Sequence, residues 1–323
     1  MAITRKQARP ARREKCVLGI DVGGTNIRAG LFSRKSAAMH CMRTALTNAS
    51  LTGSQSLARL AGLVREVVEE GRASGLHAHN LGIGIPELVG VDGRIESHCS
   101  LPWRAGEVRS CLGAYGNVTI VSDVMAASLA EARMGAGRGQ PAFLYVTVGT
   151  GISCALVIDG KPYAGAHGHA ISFASGPTVA AVSTDGKPIF EPLEARASGT
   201  GILRRAQALG LTEPDAIAVC MTARTRRGMA RTLVDEAATE LAIHVAILAN
   251  ALDPTLVVLG GGLGCAMGRY WSSFRAALPR YTWGPHMRHL RVRRAQLGTA
   301  AGMIGAALCA LEPNRPPFMP STD

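Results

Sequence analysis

The amino-acid sequence predicts an α/β protein built of two lobes with a cleft between them. The chain has 323 residues, and its 47% hydrophobic content against 18% charged residues provides enough apolar surface for two cores. Short apolar runs alternate with longer segments of helical periodicity. A strand that ends in glycines and leads into another strand or a helix occurs three times, at 16–33, 143–158 and 256–264. Such turns let backbone amides approach phosphate, so we expect the cleft to hold a phosphate-bearing ligand.

The elements predicted for the first lobe are a β-hairpin, a helix and two further strands, before the helix that opens the second lobe. Residues 16–33, CVLGIDVGGTNIRAGLFS, predict a strand, a glycine-rich turn and a second strand. Apolar side chains at helical spacing predict a helix over about 54–71. Short apolar runs at 81–85 and 118–121 predict buried strands, and a helical segment follows over 123–134.

In the second lobe the helix over 123–134 is predicted to be followed by another hairpin, whose strands at 143–148 and 153–158 flank a glycine turn. A long helix over about 229–252 then precedes a buried strand at 256–259, and the last helix is expected over about 299–311. The predicted organisation is a basic flexible tail at 1–14, an N-terminal lobe at 15–121 completed by the helix 299–311, a C-terminal lobe at 122–298 and a loose tail at 312–323.

The charge and the cysteines limit the classes of function. The net charge is +12, but the basic residues gathered before Cys16 are typical of a solvated tail rather than of a nucleic-acid arm. No apolar run approaches the length of a membrane helix, and the N-terminus lacks the features of a secretory signal. We therefore expect a cytoplasmic protein without a membrane or nucleic-acid partner. The eight cysteines include no Cys-x-x-Cys pair, which predicts buried free thiols and no structural zinc.

The three glycine turns are the strongest chemical signal. The first, at 21–28, combines glycines with a hydroxyl donor, a fixed cation and an aspartate that could hold Mg²⁺ through water. A single glycine turn is more often only a turn. Three of them at strand ends favour contacts with the γ-phosphate, the β-phosphate and the nucleoside of one ATP. The predicted nucleotide-binding residues are Asp21, Gly23, Gly24, Thr25, Arg28, Gly149, Thr150, Gly151, Gly261 and Gly262.

The sequence around these turns resembles the sugar kinases of the actin-like ATPase superfamily, and in detail the ROK family. The phosphate and adenosine motifs of that family correspond here to LGIDVGGTNIRAGLF, VTVGTGISCALVIDGK and LDPTLVVLGGGL. Its Gly-x-Pro-Gly segment and closing helix are similar to GIGIPELVGVDGRI and LGTAAGMIGAAL. The resemblance covers about residues 15–311. It implies the two-lobed actin-like, ribonuclease H-like fold with an interlobe cleft, ATP and Mg²⁺ as cofactors, and a homodimer.

The resemblance also implies a catalytic residue. The general base of the family is an aspartate in a short Asn-Asp-x-Asn segment that opens a helix, and the matching segment here is VSDVMAA at 121–127. Asp123 is therefore the expected base for phosphoryl transfer. The alternative is that Asp123 only caps its helix, and both roles are compatible.

Several positions depart from the family pattern. The family carries a glutamate and a histidine that bind sugar hydroxyls, and GAHGHAISFASG places Ser172 and Ser175 at those positions. The zinc-binding cysteines of the family are absent, with Pro192 at the last of them, so we expect a zinc-lacking member. Glu194 is kept, and in relatives that glutamate contacts the sugar.

The acceptor pocket differs as well, because Ser122 and Ser100 stand at family asparagines and Glu87 at a family glycine. The acceptor-binding residues implied are Glu87, Ser100, Ser122, Asp123, Ser172 and Glu194. An added carboxylate at Glu87 is expected to project towards the acceptor and to favour an ammonium group. The alternative for Glu87 is a solvated side chain, or one that bonds only ring hydroxyls.

The expected function is ATP-dependent phosphorylation of the primary hydroxyl of a sugar-like acceptor, a phosphotransferase reaction with an alcohol group as acceptor. The rebuilt pocket favours an amino sugar such as kanosamine, with a 6-phosphate product, and leaves a C7-cyclitol or glucose as alternatives. A ROK-type regulator is a further class, but the short segment before Asp21 offers no helix-turn-helix pattern. A sugar-binding protein without catalysis is the other alternative, and the retained Asp21, Thr25 and Asp123 argue against it.

Overall fold

Two five-stranded sheets, one in each lobe, form the frame of the molecule. The computed structural model describes residues 14–35, 38–48, 51–266 and 268–311. The strands of the first sheet are β1 (Glu14–Val22), β2 (Asn26–Ser33), β3 (Met39–Leu46), β4 (Leu76–Ile85) and β5 (Asn117–Ser122). They lie in the order β3-β2-β1-β4-β5, with β1, β4 and β5 parallel and the hairpin strands β2 and β3 antiparallel to their neighbours.

The second sheet repeats this topology. Its strands are β6 (Ala142–Val148), β7 (Ile152–Ile158), β8 (Lys161–Pro162), β11 (Leu256–Gly260) and β12 (Arg291–Arg294), in the order β12-β11-β6-β7-β8. In both sheets the first strand is central, its hairpin partners lie on one side and two later parallel strands lie on the other. Between β8 and β11 the strands β9 (Pro177–Val182) and β10 (Pro188–Pro192) form a separate hairpin.

Ten helices cover the sheets within the described part of the chain. They are α1 (Gly53–Ala73), α2 (Ala105–Leu112), α3 (Asp123–Met134), α4 (Leu193–Ala197), α5 (Gly199–Ala208), α6 (Ala216–Thr225), α7 (Met229–Leu252), α8 (Gly261–Cys265), α9 (Arg269–Tyr281) and α10 (Ala301–Leu311). The apolar faces of α1 and α7 pack into the cores of the first and second lobes respectively. None of the described helices is long and apolar enough to cross a membrane.

Helices α3 and α10 pack against each other, and α10 lies on β1 and β4 of the first sheet. Glycines make this close packing possible. A Cβ at Gly82 of β4 would lie 1.8 Å from the carbonyl oxygen of Ala306, and one at Gly305 would lie 1.7 Å from that of Ala126. Any larger residue at these positions would therefore separate α10 from the sheet or from α3.

The strands and helices predicted from periodicity are confirmed, with end positions that differ by a few residues. The structure adds elements that the sequence patterns did not indicate, among them β3, α2, α9 and the β9–β10 hairpin. The predicted tails at 1–14 and 312–323 lie outside the described residues, apart from Glu14, which begins β1 and is not part of a tail.

Candidate active site

The carboxyl ends of the parallel strands bring the candidate catalytic groups of the first lobe to one edge. Asp21 of β1 pairs with Gly84 of β4, and Gly84 pairs with Val121 of β5. Asp123 follows β5 and opens α3, and a Cβ at Gly84 would lie 3.4 Å from its Cα. Because parallel strands end at the same edge, two aspartates 102 positions apart in the chain meet at the foot of the cleft.

The register of the first hairpin places a cation beside Asp21. Arg28 of β2 lies directly opposite Asp21, and its Nη1 is 3.7 Å from Asp21 Oδ2. Burial raises the pKa of Asp21 to about 6, against the opposing effect of Arg28. A Cβ at Gly302 of α10 would lie 2.5 Å from Asp21 Oδ1, so the glycine leaves room for this carboxylate.

The first and second glycine loops, one from each lobe, lie against each other. A Cβ at Gly24 would lie 3.3 Å from the side chain of Thr150, and both residues are exposed. The second loop turns on a hydrogen bond from Gly149 N–H to the carbonyl oxygen of Gly151, at 2.9 Å. At its other side, Gly199 N–H of α5 donates to the carbonyl oxygen of Gly149 at 2.8 Å.

The third glycine loop lies beside the second because β6 and β11 are parallel neighbours. Gly260 pairs with Thr147, and a Cβ at Gly149 would lie 4.0 Å from Gly262 N. Gly261 has φ +78°, and a Cβ there would lie 2.4 Å from the carbonyl oxygen of Val148, so the position requires glycine. A Cβ at Gly262 would meet no atom within 4 Å and would point into open space.

The loop residues fit a nucleoside triphosphate with Mg²⁺. Three loops without bulky side chains lie next to one another, and the exposed Thr25 and Thr150 offer hydroxyl donors. Arg28 supplies a fixed positive charge for phosphate. Asp21 offers the hard carboxylate oxygens that Mg²⁺ prefers, directly or through water.

Asp123 has the properties of a general base. Its pKa is raised to about 7, first by burial and then by the negative charges of Asp21 and Glu87. Hydrogen bonds from Val124 N–H to Asp123 Oδ1, at 2.6 Å, and from the buried Ser122 hydroxyl oppose this rise. A carboxyl group that titrates near neutral pH can accept and release a proton under physiological conditions.

Glu87 does not face the acceptor as predicted. Its side chain is buried, and its carboxylate accepts four hydrogen bonds from the segment 97–101. These bonds occupy the acceptor positions of both carboxylate oxygens. The predicted projection of this carboxylate towards the acceptor is therefore wrong, whereas the preference for an ammonium group stays a prediction.

The structure distributes the other predicted acceptor residues over two neighbouring regions. Ser100 is exposed, and its N–H donates to Glu87 on the first lobe. On the second lobe Glu194 N–H donates to the carbonyl oxygen of Ala174 at 3.1 Å, two residues beyond the exposed Ser172. One oxygen of Glu194 accepts from Ile152 N–H at 2.8 Å, next to the second glycine loop.

Two residues at the site were missed by the sequence analysis. Thr47, just after β3, braces the first glycine loop, because its hydroxyl donates to Gly23 O at 2.6 Å and its N–H donates to Thr25 O at 2.9 Å. No sequence signal indicates Thr47, since β3 itself was not predicted. Gly302 lies in the second position of α10. Because glycine lowers the stability of a helix, its presence there is a sequence signal that another group lies close to the helix backbone.

The β9–β10 hairpin forms the segment in which the resemblance implies that zinc-binding cysteines are missing. Its strands are held by backbone pairing from Pro177–Pro192 to Val182–Pro188, and the Thr178 hydroxyl donates to the carbonyl oxygen of Glu191 at 3.2 Å. The absence of a zinc site stays a prediction.

Two lobes of the same topology, with glycine loops from both lobes meeting at the cleft, define a protein of the actin-like ATPase class. Residues 17–312 match the model of the ROK family, and the chain belongs to that family. The predicted family and fold class are thereby confirmed.

The relatives found among known proteins include kinases of different sugars. The chain is 32% identical over 309 residues to the bifunctional enzyme NanE/NanK of Brucella melitensis, covering 92% of this chain and 54% of that protein, so it spans about half the length of that relative. It is 28% identical over 307 residues to the kanosamine kinase of Amycolatopsis mediterranei, covering 91% of this chain and 95% of that one. The ROK family glucokinase of Streptomyces griseus, solved with glucose and AMPPNP, shares 26% identity and a TM-score of 0.77, covering 91% and 99% of the two chains. These relatives agree with the predicted enzyme class, a phosphotransferase with an alcohol group as acceptor.

Proposed function

We propose that this protein is an ATP-dependent kinase that transfers the γ-phosphoryl group to the primary hydroxyl of a sugar-like acceptor. The observation that carries this proposal is the half-buried Asp123, whose pKa of about 7 suits a base, at the edge where the glycine loops of both lobes meet. Phosphoryl transfer to an alcohol needs a carboxylate that accepts the hydroxyl proton and loops that hold the phosphates in line.

The residues of the cleft divide this work among them. Asp123 accepts the proton of the attacking hydroxyl, while hydrogen bonds from Val124 N–H and the Ser122 hydroxyl fix the orientation of its carboxylate. The glycine loops, with Thr25 and Arg28, bind the phosphates of ATP, which supplies the phosphoryl group. Asp21 would hold Mg²⁺, which would neutralise negative charge on the phosphates. Closure of the lobes on the acceptor excludes water that would otherwise compete as the nucleophile.

The acceptor we favour is an amino sugar of the kanosamine type, or a related hexose. Two observations support this choice: serines at 100, 122 and 172 replace the family's acceptor-binding groups, and a kanosamine kinase is among the relatives. Glu87 gives no support, because its carboxylate is occupied. A C7-cyclitol and glucose remain the alternatives within the family. A cytoplasmic location and a homodimer complete the proposal.

Release of ADP with a panel of acceptors tests this proposal. The panel contains glucose, mannose, allose, glucosamine, kanosamine and a valiolone-type cyclitol, each with ATP and Mg²⁺. We expect acceptor-dependent release that is fastest with kanosamine. Release with glucose alone would move the assignment to a glucokinase. Binding of a sugar without any release would favour a sugar-binding protein that lacks catalysis.

Gly262→Leu should weaken the binding of AMPPNP at least ~10-fold, equivalent to ~1.4 kcal/mol, without unfolding the protein. The added side chain would fill the open space beside the second glycine loop, where we place the nucleotide. Calorimetric titration with AMPPNP measures the effect. Gly261 is unsuitable for this experiment, since its positive φ and the nearby Val148 carbonyl would strain any side chain.

Gly106→Leu is the matched control for this variant. Gly106 occupies the second position of α2, as Gly262 does in α8, and a Cβ there also meets no atom within 4 Å. We expect its AMPPNP affinity to equal that of the wild type. Equal affinities for the wild type and both variants would show that the nucleotide has been placed wrongly.

A further inference from the structure

The buried carboxylate of Glu87 is the centre of a hydrogen-bond cluster that has no role in the reaction proposed above. Its Oε1 accepts from Ser100 N–H at 2.6 Å and from Leu101 N–H at 2.7 Å. Its Oε2 accepts from Cys99 N–H at 3.0 Å and from the Ser97 hydroxyl. Three consecutive backbone donors are thus directed at one carboxylate, an arrangement that defines the path of the chain.

The segment that follows is fixed at a second point. Trp103 is buried in the core of the first lobe, and its Nε1 donates to Ser56 Oγ at 2.7 Å. Leu101 is also buried, whereas Cys99 and Ser100 are exposed. Residues 97–103 therefore form a loop that is held at two points. The indole of Trp103 holds one end of the loop in the core, and the carboxylate of Glu87 holds the backbone of residues 99–101. The side chains of Cys99 and Ser100 are exposed.

The position of Glu87 connects this loop to the catalytic edge. Glu87 lies two residues beyond the end of β4, the strand between β1 and β5, whose ends carry Asp21 and Asp123. Its charge is close enough to contribute to the electrostatic environment of Asp123. The loop that Glu87 fixes is thus adjacent to the point where the acceptor hydroxyl must meet its base.

We propose that Glu87 is a positioning residue that fixes the loop 97–101 in the conformation with which Ser100 binds the acceptor. This inference rests on the proposed function. Glu87 acts through the three backbone amides and does not touch the sugar, so it favours no particular substituent on the ring. A glutamine in its place must turn its NH₂ group towards one of the N–H donors, and at least one hydrogen bond is lost.

Hydrogen exchange of the ligand-free protein tests the structural part of the proposal. In Glu87→Gln the amide hydrogens of Cys99, Ser100 and Leu101 should exchange at least ~10-fold faster than in the wild type, since a hydrogen bond to a charged group is lost. Glu107→Gln is the control, because Glu107 accepts a single N–H, that of Arg104 at 2.8 Å, and a glutamine oxygen can replace it. Unchanged exchange at 99–101 in Glu87→Gln would overturn the proposal.

Steady-state kinetics test the functional part, with glucose and kanosamine as acceptors. Glu87→Gln should raise the KM for both sugars by the same factor, ~10-fold, and leave the KM for ATP unchanged. Ser97→Ala, which removes the fourth hydrogen bond, should have a smaller effect in the same direction and provides the result if Glu87→Gln does not fold. A rise in both acceptor and ATP KM together would indicate general damage and contradict the proposal. A loss confined to kanosamine would contradict it too, because that pattern requires direct contact with the ammonium group. If the wild type phosphorylates neither sugar, the same KM comparison is made with whichever acceptor of the panel it does phosphorylate. If it phosphorylates none of the panel, the proposed function fails, while the exchange experiment still decides whether Glu87 fixes the loop.

Discussion

Asp123→Asn should lower kcat at least ~100-fold and leave the fold and the affinity for AMPPNP unchanged. The amide cannot accept the proton of the attacking hydroxyl, and general base catalysis contributes ~10² to 10⁴ in rate. The variant keeps the shape of the side chain and an oxygen that can accept from Val124 N–H, so the start of α3 should persist. Turnover of the best acceptor, AMPPNP titration and circular dichroism measure the three quantities.

The pH dependence of the wild type provides an independent check on the same residue. Because burial raises the pKa of Asp123 to about 7, the base is protonated below neutral pH, and kcat/KM should fall as the pH decreases through about 7. The residual activity of Asp123→Asn should lack this acid limb. Near wild-type turnover in the variant, or an acid limb that persists in it, would remove Asp123 from the catalytic role.

Glu131→Ala should lower the free energy of unfolding by roughly 3 kcal/mol or more. Glu131 is completely buried near the end of α3 and accepts three backbone N–H groups, those of Ala136 at 2.7 Å, Gln296 at 3.1 Å and Leu297 at 2.8 Å. These hydrogen bonds link the segment that precedes α10 to the end of α3. Alanine would leave three donors without partners and a cavity, and urea unfolding measures the loss.

Glu236→Ala is the matched control for this stability prediction. Glu236 is also a helical glutamate, but its side chain is 53% exposed and pairs with Arg205 at the surface of α7. Its loss should cost less than ~1 kcal/mol. Equal stabilities of the two variants would show that the backbone donors near Glu131 find other partners.

The glycine loops and the helix that begins at Asp123 could be predicted because the sequence signals for them are local. A glycine turn at a strand end and the helical period of α3 are determined within a few residues, and the parallel order of the strands then brings the loops together. The orientation of Glu87 could not be predicted in this way. Its partners come from the loop 97–101, which has no periodicity, and the course of that loop depends on the burial of Trp103 in the core.

The two buried glutamates, Glu87 and Glu131, show the same limit of prediction from the sequence. Glu131 looks like a polar residue on the surface of a helix when only α3 is considered, yet its partners at Gln296 and Leu297 lie 165 and 166 positions later in the chain. The apolar pattern that identifies a helix gives no information on which backbone donors a distant segment will present. The orientation of Glu87 was therefore predicted wrongly, and the role of Glu131 was missed.

In the proposed reaction the γ-phosphoryl group is transferred to a primary hydroxyl, and Asp123 is required. Phosphorus NMR of a reaction with ATP, Mg²⁺ and kanosamine, repeated with glucose, tests it most directly. For the wild type we predict a new phosphomonoester resonance coupled to the protons of one methylene group, which appears as ADP forms, and for Asp123→Asn the same resonance at no more than about one hundredth of the rate. Inorganic phosphate as the only product, a phosphoester on a secondary carbon, or equal rates for the two proteins would contradict the account.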